Sequence, residues 1–468
     1  MIKRIFKTLG VLTFFGTSLV SLYLVNLFYM KPASIDHYLA KEVITDLVDS
    51  PEAMTYMGVF DGLNWLTNHN ARLSIPKSDD LKKDIQGTRK KLEILNKYSN
   101  ESLKSSQRIT KKIAIFDTEN QLNQLELFPY HDYPLNQVRG EHHNIISFMS
   151  DMHPVRNLSE AEDFIKRTDL AIEVYSGLYD WLQRQADSGI YAPKFVYAHI
   201  IEQLSELINY SHEEHPLYTQ FIKKIKLLDL SDEEFNSLES SIKNSIQKSV
   251  TPGFVLLRDF MLETEKNANP HHGIWSQPNG DEFYKLRIRS YTTTDYSPER
   301  IHQMGLSEVA RISKRMKEIL VSLGYDSNKT VGVLMNELNE DPSMLYADTP
   351  DRKEIVVQDY MDMVNEATEG IKEYFHSMPK APVIVKAVPE YSEQTAPGGY
   401  YQAPALDGSR PGVFYANLYD IKQTPKYSMK TLAFHEATPG HHHQIAHSLE
   451  NEELTMYRRF GYRTSAFS

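Results

Sequence analysis

The sequence predicts a mostly α-helical protein, with a large helical body, a few short β-strands towards the C-terminal end and a transmembrane helix at the N-terminus. Three observations predict it. Helix-start signals recur along the chain, each followed by apolar residues three and four apart. A Gly/Pro-rich stretch after Pro379 breaks that texture around two short β-branched runs. An uncharged stretch from Thr8 to Met30 follows the basic residues Lys3, Arg4 and Lys7.

The N-terminal element comes first. At 1.5 Å per residue, residues 8–30 are long enough to span a hydrocarbon core of about 30 Å. A cleaved signal peptide has a shorter apolar region and small residues at its cleavage site. This stretch ends instead in Asn26-Leu27-Phe28-Tyr29-Met30. Tyr23 and Tyr29 suit the outer interface. The expectation is an uncleaved signal anchor at 8–30, with residues 1–7 in the cytoplasm and 31–468 outside it, on the periplasmic side. A cleaved export signal would leave the body secreted or periplasmic.

Helix starts are read at Ser159 with Glu162, Ser231 with Glu234, Ser297 before Pro298 and Thr349 before Pro350. Ile301, Met304, Leu306, Val309, Ile312, Met316 and Ile319 form one such apolar set at helical spacing. Val383–Val388 and Val413–Asn417 read as strands, and helix resumes near Ser428. An edge strand can hold an extended peptide by backbone pairing.

Composition narrows the function. With 41% hydrophobic residues in 468, the chain can pack a core, so wholesale disorder is excluded. The net charge of −11 and the lack of a long basic run argue against nucleic acid as a partner. The absence of cysteine excludes disulfides, thiolate zinc sites, cysteine nucleophiles and a lipidated cysteine within this sequence.

The densest chemistry is Phe434-His435-Glu436-Ala437-Thr438-Pro439-Gly440-His441-His442-His443-Gln444. Catalytic zinc takes nitrogen or oxygen ligands and keeps a position open. A carboxylate beside it takes the proton of the attacking water. The pattern H-E-x-x-H achieves this on one helix face. Here position i+4 from His435 is Pro439, and the next histidine lies at i+6, off the His435 face of an unbroken helix. A bulge or kink at Pro439-Gly440 would bring His441 to the place that i+4 normally fills. The alternative is a solvated His-rich turn.

The block resembles the bacterial domain-of-unknown-function 885 family, placed among zincin-type metallopeptidases. Its motif His-Glu-x-x-Pro-Gly-His-His-x-Gln is matched by His435, Glu436, Pro439, Gly440, His441, His442 and Gln444. Tyr400-Tyr401-Gln402-Ala403-Pro404 and Asp407-Gly408-Ser409-Arg410-Pro411-Gly412 are also similar, as are Tyr291–Thr294, Ser297–Gly305 and Tyr133–Asn136 with Gly140. The resemblance implies a mostly helical, zincin-like fold and one Zn2+ held by His435 and His441. It implies hydrolysis of peptide bonds, in short peptides, with Glu436 as general base. The family runs on to a Glu-Gly-Trp segment whose Glu resembles a third zinc ligand. The chain is therefore expected to be truncated after Ala466-Phe467, with Glu450, Glu452 or Glu453 as poor substitutes.

Tyr400, Tyr401 and Arg410 are candidates to polarise the scissile carbonyl or bind a peptide carboxylate. For Arg410 the alternative is bracing a Gly/Pro-rich loop. His302 is a candidate to face the site. His142-His143 and His271-His272 are read as surface residues. The competing function is a non-catalytic extracytoplasmic peptide-binding or scaffold protein. The oligomeric state is not legible.

Overall fold

Helices dominate the computed structural model, which describes residues 21–460 apart from 28, 29, 31, 59, 139, 391, 392 and 395. Two of the four expected helix starts stand as read. Ser231 and Glu234 form a reciprocal capping box before Asp232–Ser245. Ser297 caps Pro298–Ser322 by accepting from the Arg300 N–H. The other two shift. Asn157, as good a cap as serine, starts Leu158–Asp169 two residues before Ser159. Arg352–Gly370 begins after Asp351, without a side-chain cap.

The body read as one stretch divides into two compact units, each assembled from separate segments. The described part of the first is 21–49, 79–129 and 451–460. Helices Ile35–Asp49, Asp80–Asn96, Ser105–Leu127 and Met456–Phe460 enclose Tyr38, Leu39, Leu95, Ala114 and Tyr457. Hydrogen bonds tie polar groups into this core: the Tyr457 hydroxyl donates to Asp117 Oδ2 at 2.9 Å, and Lys111 Nζ to the Tyr98 carbonyl at 2.6 Å.

The expected transmembrane helix is not found. Residues 1–20 and Tyr29, which carry most of that expectation, lie outside the described residues. Within the stretch, helix is described over 21–27. No helix among the described residues is long and apolar enough to cross a membrane. Tyr23, expected at a membrane interface, hydrogen-bonds the His37 ring instead.

The second unit comprises residues 50–78 and 130–450 in its described part. One hydrophobic core packs Phe164, Tyr175, Ile200, Phe221 and Phe254 between helices. Another packs Val356, Tyr360 and Val364 of Arg352–Gly370 against a three-stranded sheet and Met429 and Ala433 of Lys426–Glu436. The strands are β1 (Val383–Ala387), β2 (Gly399–Gln402) and β3 (Gly412–Ala416). Their order is β1-β3-β2, with β1 parallel and β2 antiparallel to β3. Central β3 is buried along its whole length, which explains its continuous apolar run. The expected strands appear as β1 and β3. Strand β2 was hidden by Pro397, Gly398 and Gly399, which read as loop.

One apolar helix face is left open, and one residue expected at the surface is buried. Met304, Leu306, Val309, Ile312 and Ile319 are exposed, and Leu320 is the buried residue of their helix. Their spacing is helical, but no described element covers that face. His142, read as surface, is fully buried. It shares a helix face with Ile145, Ile146 and Met149, a spacing that was visible in the sequence.

His142, His153 and His215 are all buried in this unit. Burial, reinforced by neighbouring positive groups, pushes their pKa values down, to about 3 for His142 and about 4 for His215. A folded-state pKa below the unfolded value means that the folded state binds fewer protons. This stability is fully present above about pH 6.5 and is lost as pH falls towards the folded values. Melting temperature is therefore expected to fall between pH 7.5 and 5. A profile flat over that range would show that these imidazoles are protonated in place.

Candidate metal centre

The motif adopts a helix–break–helix arrangement rather than a bulge within one helix. Helix Lys426–Glu436 closes with the Ala437 N–H on the Ala433 carbonyl. Ala437 then leaves helical geometry, at φ −111° and ψ −93°, and the Thr438–Pro439 peptide is cis. A second helix begins at His441 and runs to Glu450. The break is stitched by the His443 N–H donating to the Ala437 carbonyl at 3.1 Å, across six residues. This return needs a glycine. A Cβ on Gly440 would lie 1.9 Å from the His435 carbonyl oxygen and 2.4 Å from that of Phe434.

The result brings the motif residues together. Ligand atoms of His435, Glu436 and His441 all lie within 4.8 Å of one another. The two imidazole centroids are 4.6 Å apart with planes at 78°. His435 is exposed, His441 half-buried and Glu436 buried, at 5% exposure. Burial and the neighbouring His435 hold the His441 pKa below its ordinary value. Two imidazoles converging with a carboxylate fit the donor set of a zinc site with an open side. No further His, Asp or Glu joins the group among the described residues.

Next to this triad lies a fixed polar chain. The Glu450 carboxylate accepts from the Lys380 N–H at 2.8 and 3.0 Å and from the Ala381 N–H at 2.9 Å. Those bonds occupy Glu450, which is not drawn to the triad. The Ala381 carbonyl in turn meets His442 Nε2 at 3.0 Å, and Tyr401 Oη meets His442 Nδ1 at 2.9 Å. A carbonyl only accepts, so Nε2 carries the proton, Nδ1 is the acceptor and the Tyr401 O–H donates to it. Burial pushes His442 down to about 4, in keeping with a neutral ring. Gly412 leaves room for this pair, since a Cβ there would lie 2.6 Å from His442 Nδ1 and 2.7 Å from Tyr401 Oη. His442 was quoted in the motif, but its hold on Tyr401 was not legible from spacing.

The remaining candidates separate. The Tyr401 ring stacks against His441 at 6.5 Å, while Tyr400 stacks on Tyr415 at 4.8 Å. Both tyrosines line a cavity of about 960 Å³ that also reaches Tyr56, His143, Asp151 and Trp181. The triad residues are not among its walls, so Tyr401 is the residue common to both. Arg410 lines neither. Its guanidinium sits 5.1 Å from the Tyr56 ring and Nη2 donates to the Tyr56 carbonyl at 2.9 Å. With Ala403 N–H on Tyr56 Oη and Leu406 N–H on the Met57 carbonyl, it pins the Gly/Pro-rich loop to helix Pro51–Met57. His302 is exposed on its helix, as are His271 and His272 in their loop. His143, read as a surface residue, and Asp151, which has no sequence signal, lie in the cavity wall.

Fold and site define a predominantly helical protein with a two-histidine, one-glutamate cluster on a broken helix beside a small sheet. The chain belongs to the family described as bacterial protein of unknown function (DUF885), whose model matches residues 51–468. A crystal structure of a candidate lipoprotein from Colwellia psychrerythraea is similar at 28% identity and a TM-score of 0.83, covering 92% of this chain and 75% of that one. A candidate lipoprotein of unknown function from Shewanella oneidensis shares the fold at 14% identity and a TM-score of 0.58, covering 92% of this chain and 74% of that one. No curated protein matches the chain.

Proposed function

We propose that the protein is a zinc-dependent peptidase acting on short peptides. The observation that carries this reading is the convergence of His435, Glu436 and His441 within 4.8 Å. His435 and His441 would hold the ion. When bound, zinc supplies a Lewis acid that acidifies water and polarises a carbonyl. Glu436 takes the proton of the attacking water and passes it to the departing amine. Tyr401, held through His442, orients the substrate from the cavity side. Its hydroxyl proton is already committed to a ring nitrogen, so it positions substrate rather than donating to the scissile carbonyl. Strand β2 lies at the sheet's edge and lends Tyr400, Tyr401 and Gln402 to the cavity wall. That placement favours a substrate bound in extended form. The two solved relatives are described as candidate lipoproteins, which supports an extracytoplasmic body for this chain as well.

Elemental analysis of the purified chain tests the metal assignment. Near-stoichiometric zinc is expected in the wild type, with most of it lost in His435→Ala. Equal zinc in both would remove His435 from the centre. No zinc in either would favour a non-catalytic peptide-binding protein that uses the same cavity.

A further inference from the structure

The cavity beside the triad has a chemistry that the hydrolytic step does not use. At about 960 Å³ it is the size of a site for a ligand of several residues. Phe148, Met152, Val174, Leu178 and Trp181 give it apolar walls. Among the described residues, its acidic and imidazole lining residues are Glu52, Glu141, Asp151 and His143, and no lysine or arginine lines it. Such a lining suits an apolar body carrying a cation and is poorly suited to a peptide carboxylate.

The three carboxylates are not equivalent. Glu52 accepts from the Ser74 N–H and hydroxyl, each at 2.7 Å. Glu141 is exposed and accepts from Asn144 at 2.7 Å. Asp151 is half-buried, and its carboxylate makes no hydrogen bond or ion pair among the described residues. Burial pushes its pKa up, and Lys224, Lys386 and Arg410 only partly offset that. Two of those cations are turned to other partners. Lys224 Nζ donates to the Met149 and His153 carbonyls at 3.0 and 2.7 Å, and Arg410 Nη2 to that of Tyr56.

Asp151 is also not isolated. His143, Ser147 and Asp151 stand at positions i, i+4 and i+8 of helix Glu141–Asp151, and all three line the cavity. They form one polar stripe about 12 Å long. Neither ring nitrogen of His143 has a hydrogen-bond partner. A half-buried imidazole with both ring nitrogens unpaired, on the same stripe as a carboxylate without a hydrogen bond, suits an occupant with several polar groups along its length.

We propose that this stripe binds the N-terminal end of a peptide, with Asp151 receiving the free α-ammonium group and Ser147 and His143 pairing with the first backbone groups. Resting on the peptidase reading, this makes the enzyme an exopeptidase that measures its cut from a free N-terminus. Peptides with a blocked amine lose the anchoring contact.

The test uses the full chain loaded with zinc, with tetra-alanine and N-acetyl-tetra-alanine as probes, read by calorimetric binding and by hydrolysis. Wild type is expected to bind the free-amine peptide about 10–100-fold more tightly, the range of a hydrogen bond to a charged group. Asp151→Asn should bring that ratio close to one and leave the acetylated peptide's affinity unchanged, and Asp151→Glu should restore part of the ratio. Equal wild-type affinities, no binding of either peptide, or a preference that survives Asp151→Asn would overturn the subsite. If Asp151→Asn does not fold, the wild-type comparison and Asp151→Glu decide it. Amine-selective binding without hydrolysis would keep the subsite and sink the peptidase. Equal hydrolysis of both peptides would do the reverse.

Discussion

Glu436→Gln is expected to retain zinc and to lower peptide hydrolysis by roughly 10²–10⁴-fold, the usual scale for a general base. The amide is nearly isosteric with the carboxylate, so the buried position at the end of helix Lys426–Glu436 should accept it. What changes is the ability to take a proton. Backbone contacts in the break between them hold histidines 435 and 441 in position. The measurement pairs zinc content with turnover of a short-peptide library. The geometry also places the Glu436 carboxylate among the possible ligand atoms. Zinc loss in the variant would therefore mark Glu436 as a ligand, and turnover like that of the wild type would remove it from the chemistry.

The site was legible in the sequence where residue identity alone carries the chemistry. His435, Glu436 and His441 could be chosen because zinc and proton transfer need those side chains, and Pro439-Gly440 announced that helical spacing would not hold. The form of the break was not legible. It depends on the approach of Gly440 to two carbonyl oxygens, a contact that spacing does not encode. Arg410 shows the opposite limit. A cation in a motif-rich loop invites a role at the oxyanion, yet its guanidinium braces that loop on Tyr56. His142, without a carboxylate at metal spacing, reads as a surface residue, although its spacing from Ile145, Ile146 and Met149 marks an apolar face. Helix Pro298–Ser322 shows what spacing leaves open. Its periodicity is real, but periodicity reports an apolar face and not whether anything covers it.

Glu450 ties fold and site together. Four residues before it, Ala446 is buried in the same helix, while Glu450 itself closes on the backbone just ahead of β1. That anchor sets the Ala381 carbonyl, which sets His442, which sets Tyr401 at the cavity's edge. A carboxylate considered as a metal ligand thus acts three steps away, through hydrogen bonds that each fix the donor and acceptor sense of the next.

Gly440→Ala should affect the centre more than any other single methyl group. The added carbon would lie 1.9 Å from one backbone oxygen and 2.4 Å from another, and backbone atoms cannot rotate aside as a flexible side chain can. The turn must open, and His441, the next residue, must move with it. Zinc tolerates ligand displacements of only about 0.2 Å. The expected outcome is a loss of zinc affinity of at least about 10–100-fold, the range found when support for a ligand is removed. Overpacking should also cost roughly 1–3 kcal/mol of stability. Gly305→Ala is the matched control, because a Cβ there meets nothing within 4 Å and alanine is the better helix former. It should leave zinc affinity unchanged and melting temperature equal or slightly higher. Chelator competition would measure affinity and thermal melts of the metal-free proteins would measure stability. If Gly440→Ala holds zinc as tightly as the wild type, then the close return of the chain onto the end of helix Lys426–Glu436 is not what presents His441 to the metal.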